Sequence, residues 1–150
     1  LTVGNRRLVV FAAHWKSKSG EAEEGTALRR RQEETLAARI ERVSAVDPDC
    51  RFIACGDFNQ GRDDFSLIAA SNGWDSFEAV PTDGPDGSYW YRGEWERIDH
   101  IWYGSGLRTR SFRPVAAMPF AGDGGVPARY EVWSGRGYSD HLPVLAVFEF

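Results

Sequence analysis

Short apolar runs bounded by polar loops predict that strands make up much of this chain. Residues 8–13 (LVVFAA) form a nearly continuous apolar run, which is typical of a strand buried on both faces. A second buried strand is predicted at 51–55, where the run RFIAC stops at a glycine. His14 follows the first run and Asp57 follows the second. The ends of these strands are therefore where we expect functional side chains.

The segment between the two strands predicts a long helix. Apolar side chains recur at positions 36, 40 and 43, which places them on one face of a helix. Thr26 is a candidate N-cap, and Asp47-Pro48 cannot continue a helix. We therefore expect the helix to begin at Thr26 and to end at about Val46.

The rest of the chain predicts shorter elements. A short helix is expected from Asp63 or Asp64 through Ala70. Residues 121–137 are rich in glycine and have no apolar period, which predicts a long loop of the kind that is often functional. Further strands are predicted at 74–80, 89–91, 98–103, 111–118 and 142–150, with 89–91 paired to 98–103.

Composition and charge narrow the class of protein. A length of 150 residues fits one domain that can bury a core. The net charge is −4 and the pI is about 5.4, so there is no overall basic field to hold nucleic acid. This argues against high-affinity DNA binding, but not against a nuclease that meets phosphates through a metal and a few local cations. No apolar run approaches the ~20 residues of a membrane span.

Four polar motifs stand at the ends of predicted strands. They are His14-Trp15-Lys16-Ser17-Lys18, Gly56-Asp57-Phe58-Asn59, Arg97-Ile98-Asp99-His100 and Ser139-Asp140-His141. Metal-assisted phosphodiester hydrolysis requires carboxylates for a hard cation, an orienting amide, a base and a carboxylate that holds the base. One such motif can arise by chance. Four in one short chain indicate hydrolysis of a phosphoester.

Asp57 and Asn59 lie at i and i+2, so they share one face of an extended chain. Together they can bind a hard cation, or hold a water and a phosphate oxygen in line. The alternative is an Asx-type turn that closes the strand with the same residues.

The two later motifs supply a base and its partner. His141 is a candidate general base near neutral pH, and Asp140 is a candidate metal or phosphate-site ligand. Asp99 is a charged residue inside an apolar strand, which is costly unless it is paired, and a histidine partner would offset this cost. His100 alternates to the opposite face, so we interpret it as structural.

Two further groups carry weaker signals. His14 can donate a hydrogen bond to a phosphate oxygen or protonate a leaving group, and Lys16 is a candidate substrate contact. The aromatic cluster at positions 89, 90, 91 and 95 can stack bases, although packing within a hairpin is the more common role of such residues.

Taken in order, the motifs resemble the pattern of the endonuclease/exonuclease/phosphatase superfamily, which includes DNase I-like nucleases. That pattern has a histidine after a strand, Gly-Asp-x-Asn, an Ile-Asp or Leu-Asp in a late strand, and Ser-Asp-His near the end. The chain matches it at His14, Gly56 to Asn59, Ile98-Asp99 and Ser139 to His141. It looks most like uncharacterised bacterial members of the superfamily, which are often exported.

The resemblance implies an α+β fold, a DNase I-like two-sheet sandwich flanked by helices, of which residues 1–150 are the C-terminal portion. It implies a divalent-metal-dependent phosphodiesterase, with nucleic acid as the favoured substrate and Mg²⁺ (or Mn²⁺) as cofactor. The roles that it implies are His141 as base oriented by Asp99, His14 as a contact of the scissile phosphate, and Asp140 as a metal ligand. Asp57 and Asn59 would position the water, metal or phosphate, so Asn59 is expected to contact both metal and substrate.

The first half of the superfamily's fold carries an early asparagine and a glutamate that is the principal magnesium ligand, and neither has a counterpart here. We therefore expect this segment to be incomplete as an enzyme by itself. The missing half, or self-association of the chain, would then complete it. The alternative functions are a phosphomonoesterase, a sphingomyelinase-like phosphodiesterase, and a non-catalytic partial domain that binds a partner.

Overall fold

A computed structural model describes residues 1–68, 84–104 and 106–150. One long helix, α1, spans Ala22–Val46. Short 3₁₀ turns lie at Arg62–Asp64 and Asp123–Gly125. The strands of the described ranges are β1 (Thr2–Val3), β2 (Arg6–His14), β3 (Arg51–Asp57), β4 (Tyr89–Tyr91), β5 (Glu94–Glu96), β6 (Asp99–Tyr103), β7 (Arg108–Pro114) and β8 (Val144–Glu149). The strand predicted at 74–80 lies outside the described residues.

The main sheet has four strands in the order β1-β2-β3-β6. Strands β2 and β3 are parallel, and α1 makes the crossover that a parallel pair requires. Strand β6 pairs with β3 in the antiparallel direction. In this register Asp57 lies directly beside His14 of β2 on one side and beside Asp99 of β6 on the other. The sheet itself therefore brings together three of the predicted site residues.

The other strands form two separate pairs. Strands β4 and β5 make a hairpin, and β7 pairs with β8. The predicted pairing of 89–91 with 98–103 is therefore wrong, because β4 turns back on β5 while β6 joins the main sheet. The strand predicted at 111–118 corresponds to β7, which ends earlier, at Pro114. The strand predicted at 142–150 corresponds to β8.

The core lies between α1 and one face of the main sheet. Its buried residues are Trp15, Leu36, Ala54, Phe58, Phe65, Ile68 and Trp102. Burial alternates along β2 instead of being continuous, and Val10 on its other face is 41% exposed. The prediction that this strand is buried on both faces is therefore wrong for the part of the chain that the structure describes, since Val10 and Ala12 on the second face are exposed and only Leu8 there is buried.

Helix α1 begins one turn before the predicted N-cap. Glu21 precedes its first residue and makes no side-chain cap, and the acidic side chains of Glu23 and Glu24 lie in the first turn. Negative charge at that end favours a helix through its dipole, so Thr26 lies inside the helix. The C-terminal end at Val46 is as predicted. Within the described ranges, no helix has the length and apolar character that a membrane crossing requires.

Buried Glu33 on α1 holds the segment that follows the 3₁₀ turn. Its carboxylate accepts hydrogen bonds from the backbone N–H groups of Ser66, Leu67 and Ile68, at 2.7–3.2 Å. The helix predicted from 63 or 64 through 70 is wrong for residues 65–68, which follow the 3₁₀ turn without forming a helix, and its last two residues lie outside the described ranges.

Candidate active site

The close approach of two strands explains the glycine before Asp57. Gly56 has φ 139°, and a Cβ atom at this position would lie 1.9 Å from the carbonyl oxygen of Ala13. Only glycine allows β2 and β3 to lie so close at this point. As a result, His14 and Asp57 end the two strands as direct neighbours, with His14 Nε2 3.4 Å from Asp57 Oδ2.

Asn59 holds the Asp57 carboxylate in place. The backbone N–H of Asn59 donates to Asp57 Oδ1 at 2.8 Å, and its Nδ2 donates to Oδ2 at 3.0 Å. Nδ2 also donates to the carbonyl oxygen of Trp15, so the buried amide ties the end of β3 to the end of β2. The Asx-type turn and the oriented carboxylate, which the sequence offered as alternatives, are therefore two descriptions of the same arrangement.

The Asp57 carboxyl has a raised pKa. Burial is the main cause, because it disfavours the charged form, and the nearby Asp99 carboxylate adds to the effect. The hydrogen bond from Asn59 and the two neighbouring histidines act in the opposite direction. Ionised Asp57 is therefore held in an unfavourable field that a cation would relieve.

The predicted contact between Asp99 and His141 is present. His141 Nδ1 lies 2.7 Å from Asp99 Oδ2, and the Ser88 hydroxyl donates to the same oxygen at 2.5 Å. Because Nδ1 faces a carboxylate, we assign the proton to Nδ1, which leaves the lone pair on Nε2. Nε2 points towards Asp57, at 3.9 Å from its Oδ2.

The pKa of His141 is raised above its ordinary value. Burial lowers it, but the hydrogen bond to Asp99 and the negative charges of Asp99, Asp57 and Asp140 outweigh that effect. The imidazole is thus more basic than a free histidine and is already oriented by its partner.

Strand β4 and the residue before it contribute two residues that the sequence motifs did not predict. Tyr89 forms an isolated antiparallel bridge with His141, and the N–H of Leu142 donates to the carbonyl oxygen of Ser88. The Tyr89 ring lies 4.7 Å from the imidazole ring, centroid to centroid. Ser88 and Tyr89 therefore hold the Asp99–His141 pair from one side. Their sequence signal was only a polar residue at the start of an aromatic strand.

Lys18 lines the cleft, and Lys16, which the sequence predicted as a substrate contact, does not. The Lys16 ammonium donates to the carbonyl oxygens of Ser17 and Ser19, so it closes its own loop and does not line the cleft. Lys18 lines the cleft instead, where it pairs with Glu96 of β5. The reason is the turn of the loop after β2, which side-chain type alone could not predict.

Asp140 and His100 complete the set of predicted positions. Asp140 lines the cleft, and its Oδ2 lies 3.9 Å from Arg129 Nη2. His100 is buried on the other side of β6 among Phe65 and Trp102, and its Nε2 lies 2.8 Å from the carbonyl oxygen of Gln60. The structural interpretation of His100 is confirmed.

One cleft of about 780 Å³ collects these groups. Asp57, Asn59 and Asp140 line it, and their side chains carry oxygen atoms, which are the donor type that hard divalent cations take. Among the described residues, however, no three His, Cys, Asp or Glu side chains lie close enough to hold a metal ion. The described residues thus do not form a metal centre by themselves.

Comparison with known proteins gives a family and a fold. Residues 4–141 match the Endonuclease/Exonuclease/phosphatase family. Truncated TDP2 from Caenorhabditis elegans has a similar structure (16% identity, TM-score 0.67, 98% of this chain and 56% of that one). So do beta toxin from Staphylococcus aureus (16%, 0.66, 97% and 54%) and D. rerio TDP2 complexed with single-strand DNA product (15%, 0.63, 99% and 59%). Among curated proteins, none matches the sequence significantly.

The similarity covers nearly all of this chain, which spans a little over half the length of these structures. At such identities it establishes the fold alone. The predicted α+β class and DNase I-like architecture are confirmed.

Proposed function

The chain belongs to the endonuclease/exonuclease/phosphatase family, and we propose that it carries the general base of a divalent-metal-dependent phosphodiesterase that acts as a nuclease. The observation that carries this proposal is the Asp99–His141 pair at 2.7 Å, whose free Nε2 faces Asp57 in the cleft. Members of the family are generally phosphoesterases or nucleases.

In the proposed reaction, His141 is the general base. Its Nε2 takes a proton from water as the water oxygen attacks phosphorus, and the bond from phosphorus to the leaving oxygen breaks. Asp99 keeps the imidazole in the tautomer that has its lone pair on Nε2 and stabilises the imidazolium that forms. The leaving oxygen takes up a proton in turn.

His14 is proposed to bind a phosphate oxygen. Its side chain is 76% exposed at the mouth of the cleft, so a substrate can reach it without displacing packed residues. Lys18 lies in the same cleft and is the cation we propose for a neighbouring phosphate, in place of Lys16.

The proposed reaction also uses a divalent cation, although the described residues do not complete a site for it. Asp57, Asn59 and Asp140 would contribute oxygen ligands to Mg²⁺ or Mn²⁺, and at least one further carboxylate would come from elsewhere. The raised pKa of Asp57 supports this, because a bound cation would offset the cost of its charge.

The decisive experiment measures hydrolysis by the full-length or complemented protein. We expect turnover of a phosphodiester with Mg²⁺ or Mn²⁺ and none in EDTA. His141→Ala should lower kcat by about 10²–10⁴-fold, since it removes the base. Asp57→Ala should be similarly inactive. His100→Ala is the matched histidine control: it should lower stability through lost packing while the active fraction keeps its turnover. Retained activity of His141→Ala would contradict the assignment of the base.

A second candidate function, hydrolysis of a lipid head group, is favoured by one exposed loop. Tyr130, Val132 and Trp133 project from the segment before Ser139, and Trp133 is fully exposed. Exposed aromatic side chains next to a cleft suit a membrane surface. Cleavage of choline phospholipid vesicles but not of single-stranded DNA would support this candidate over the nuclease. Cleavage only of phosphate monoesters would contradict both.

We also propose that another segment or a second copy of the chain completes the domain. The chain spans just over half the length of the similar structures, and apolar side chains on the outer faces of β2 and β8 are exposed: Val10, Leu145 and Val147. Open sheet faces of this kind favour association. Sedimentation of this chain alone should show self-association, whereas a monodisperse, cooperatively unfolding monomer would contradict the proposal.

A further inference from the structure

The aromatic residues of the β4–β5 hairpin divide between its two faces. Trp90 and Trp95 pack on each other across the hairpin, with ring centroids 4.9 Å apart. Tyr89 and Tyr91 alternate to the other face and line the cleft. Packing across the hairpin therefore explains the two tryptophans but does not explain why both tyrosines face the cleft.

The rings of Tyr89 and Tyr91 form a ladder that starts at the imidazole of His141. The Tyr89 ring lies 4.7 Å from the imidazole of His141, at an interplanar angle of 30°. The Tyr91 ring follows at 5.9 Å from Tyr89, and these two rings are nearly parallel, at 11°. The ladder thus leads outward from the proposed base along one wall of the cleft.

Its outer end is open to a ligand. Tyr91 is 45% exposed, and the Arg92 guanidinium lies over its ring, with Cζ 5.0 Å from the centroid. Arg92 and Gly93 form a two-residue turn in which both have positive φ, 51° and 92°, which fixes where the guanidinium begins. No described carboxylate forms an ion pair with Arg92. A phenol ring and a guanidinium are the two side-chain planes on which nucleobases stack.

We propose that Tyr91, supported by Tyr89, is the stacking site for the nucleobase next to the scissile phosphate. The base takes the place of the guanidinium on the Tyr91 ring, and Arg92 then reaches the flanking phosphate. This proposal rests on the proposed phosphodiesterase function and specifies its substrate. Because a base inside a duplex has both faces covered by its neighbours, the site selects single strands, or unpaired ends, over duplex DNA.

Binding in EDTA tests this proposal without requiring turnover. The probes are two labelled single strands of eight nucleotides, one of thymidines and one in which every base is replaced by an abasic spacer. Fluorescence anisotropy gives the Kd of the full-length or complemented protein for each. The unaltered chain should bind the thymidine strand more tightly. Tyr91→Ala should weaken that binding about 10-fold and leave abasic binding unchanged, whereas Tyr91→Phe, which keeps the ring, should bind like the original chain. Phe150→Ala is the control, since it removes an exposed aromatic ring outside the cleft.

The outcomes separate this inference from the function on which it rests. Equal affinity for the two strands, no measurable binding of either, or an equal loss on both strands in Tyr91→Ala would overturn the stacking site. Hydrolysis with no preference for base-bearing strands would leave the phosphodiesterase intact and remove the stacking site. A base-dependent affinity in a full-length protein that cleaves no phosphodiester would support the stacking site and contradict the phosphodiesterase function.

Discussion

Replacing Asp99 with asparagine tests the orientation of the proposed base more sharply than deleting the base does. The substitution keeps the size of the side chain but removes its charge. Asp99 Oδ2 accepts at 2.7 Å from His141 Nδ1, and both side chains are largely buried, at 13% and 21% exposure. An amide group facing Nδ1 can donate to it, which would place the imidazole proton on Nε2, where the base needs a lone pair.

The expected size of the effect follows from that geometry. Loss of a correctly oriented general base costs about 10²–10⁴-fold in rate, which corresponds to about 3–5 kcal/mol of activation free energy. The pH profile should change as well. The hydrogen bond and charge of Asp99 raise the pKa of His141, so Asp99→Asn should move the acidic limb of the rate profile to lower pH while its plateau falls.

The assay is single-turnover hydrolysis across pH in the complemented protein, together with an NMR titration of His141 in metal-free buffer. The folded-state pKa of His141 is above its ordinary 6.5, so its pairing stabilises the fold below that pH and the contribution is lost as pH rises through the folded-state value. Asp99→Asn should therefore destabilise the chain more at pH 6 than at pH 9. Asp86→Asn, which changes an exposed carboxylate, is the control. An unchanged His141 midpoint with full activity would refute the reasoning.

Three further predictions follow from other contacts. Glu33→Ala should lower the free energy of unfolding by about 3 kcal/mol in urea titrations, because it leaves the buried N–H groups of 66–68 without their acceptor, and Glu33→Gln should cost less. Lys18→Ala should raise KM for a phosphodiester about 5-fold while Lys16→Ala leaves KM unchanged, and the reverse pattern would contradict the cleft assignment. Asp57→Asn should remove hydrolysis of a phosphodiester, because an amide at this position cannot accept both hydrogen bonds from Asn59 and carries no charge for a cation; retained turnover would contradict this.

Local patterns in the sequence were sufficient for the elements and for most of the chemistry. The helical spacing at 36, 40 and 43 predicted α1, and its end before Asp47-Pro48 is correct. The polar motifs predicted that Asp57, Asn59, Asp99 and His141 would share a site, and these residues do line one cleft. Such predictions succeed because helix periodicity, strand ends and the residue types that a reaction needs are all legible within a few consecutive positions.

Only the tertiary structure decided how the segments meet. The contact between Asp99 and His141, 42 residues apart, was predicted, but the strand pairing that makes it was not: β6 pairs with β3, and Tyr89 of β4 bridges His141. Ser88 and Tyr89 become site residues for the same reason. Strands pair through backbone groups that every residue carries, so the partner is selected by which apolar faces can be buried together. That selection is a property of the whole folded chain and leaves no signal within a single motif.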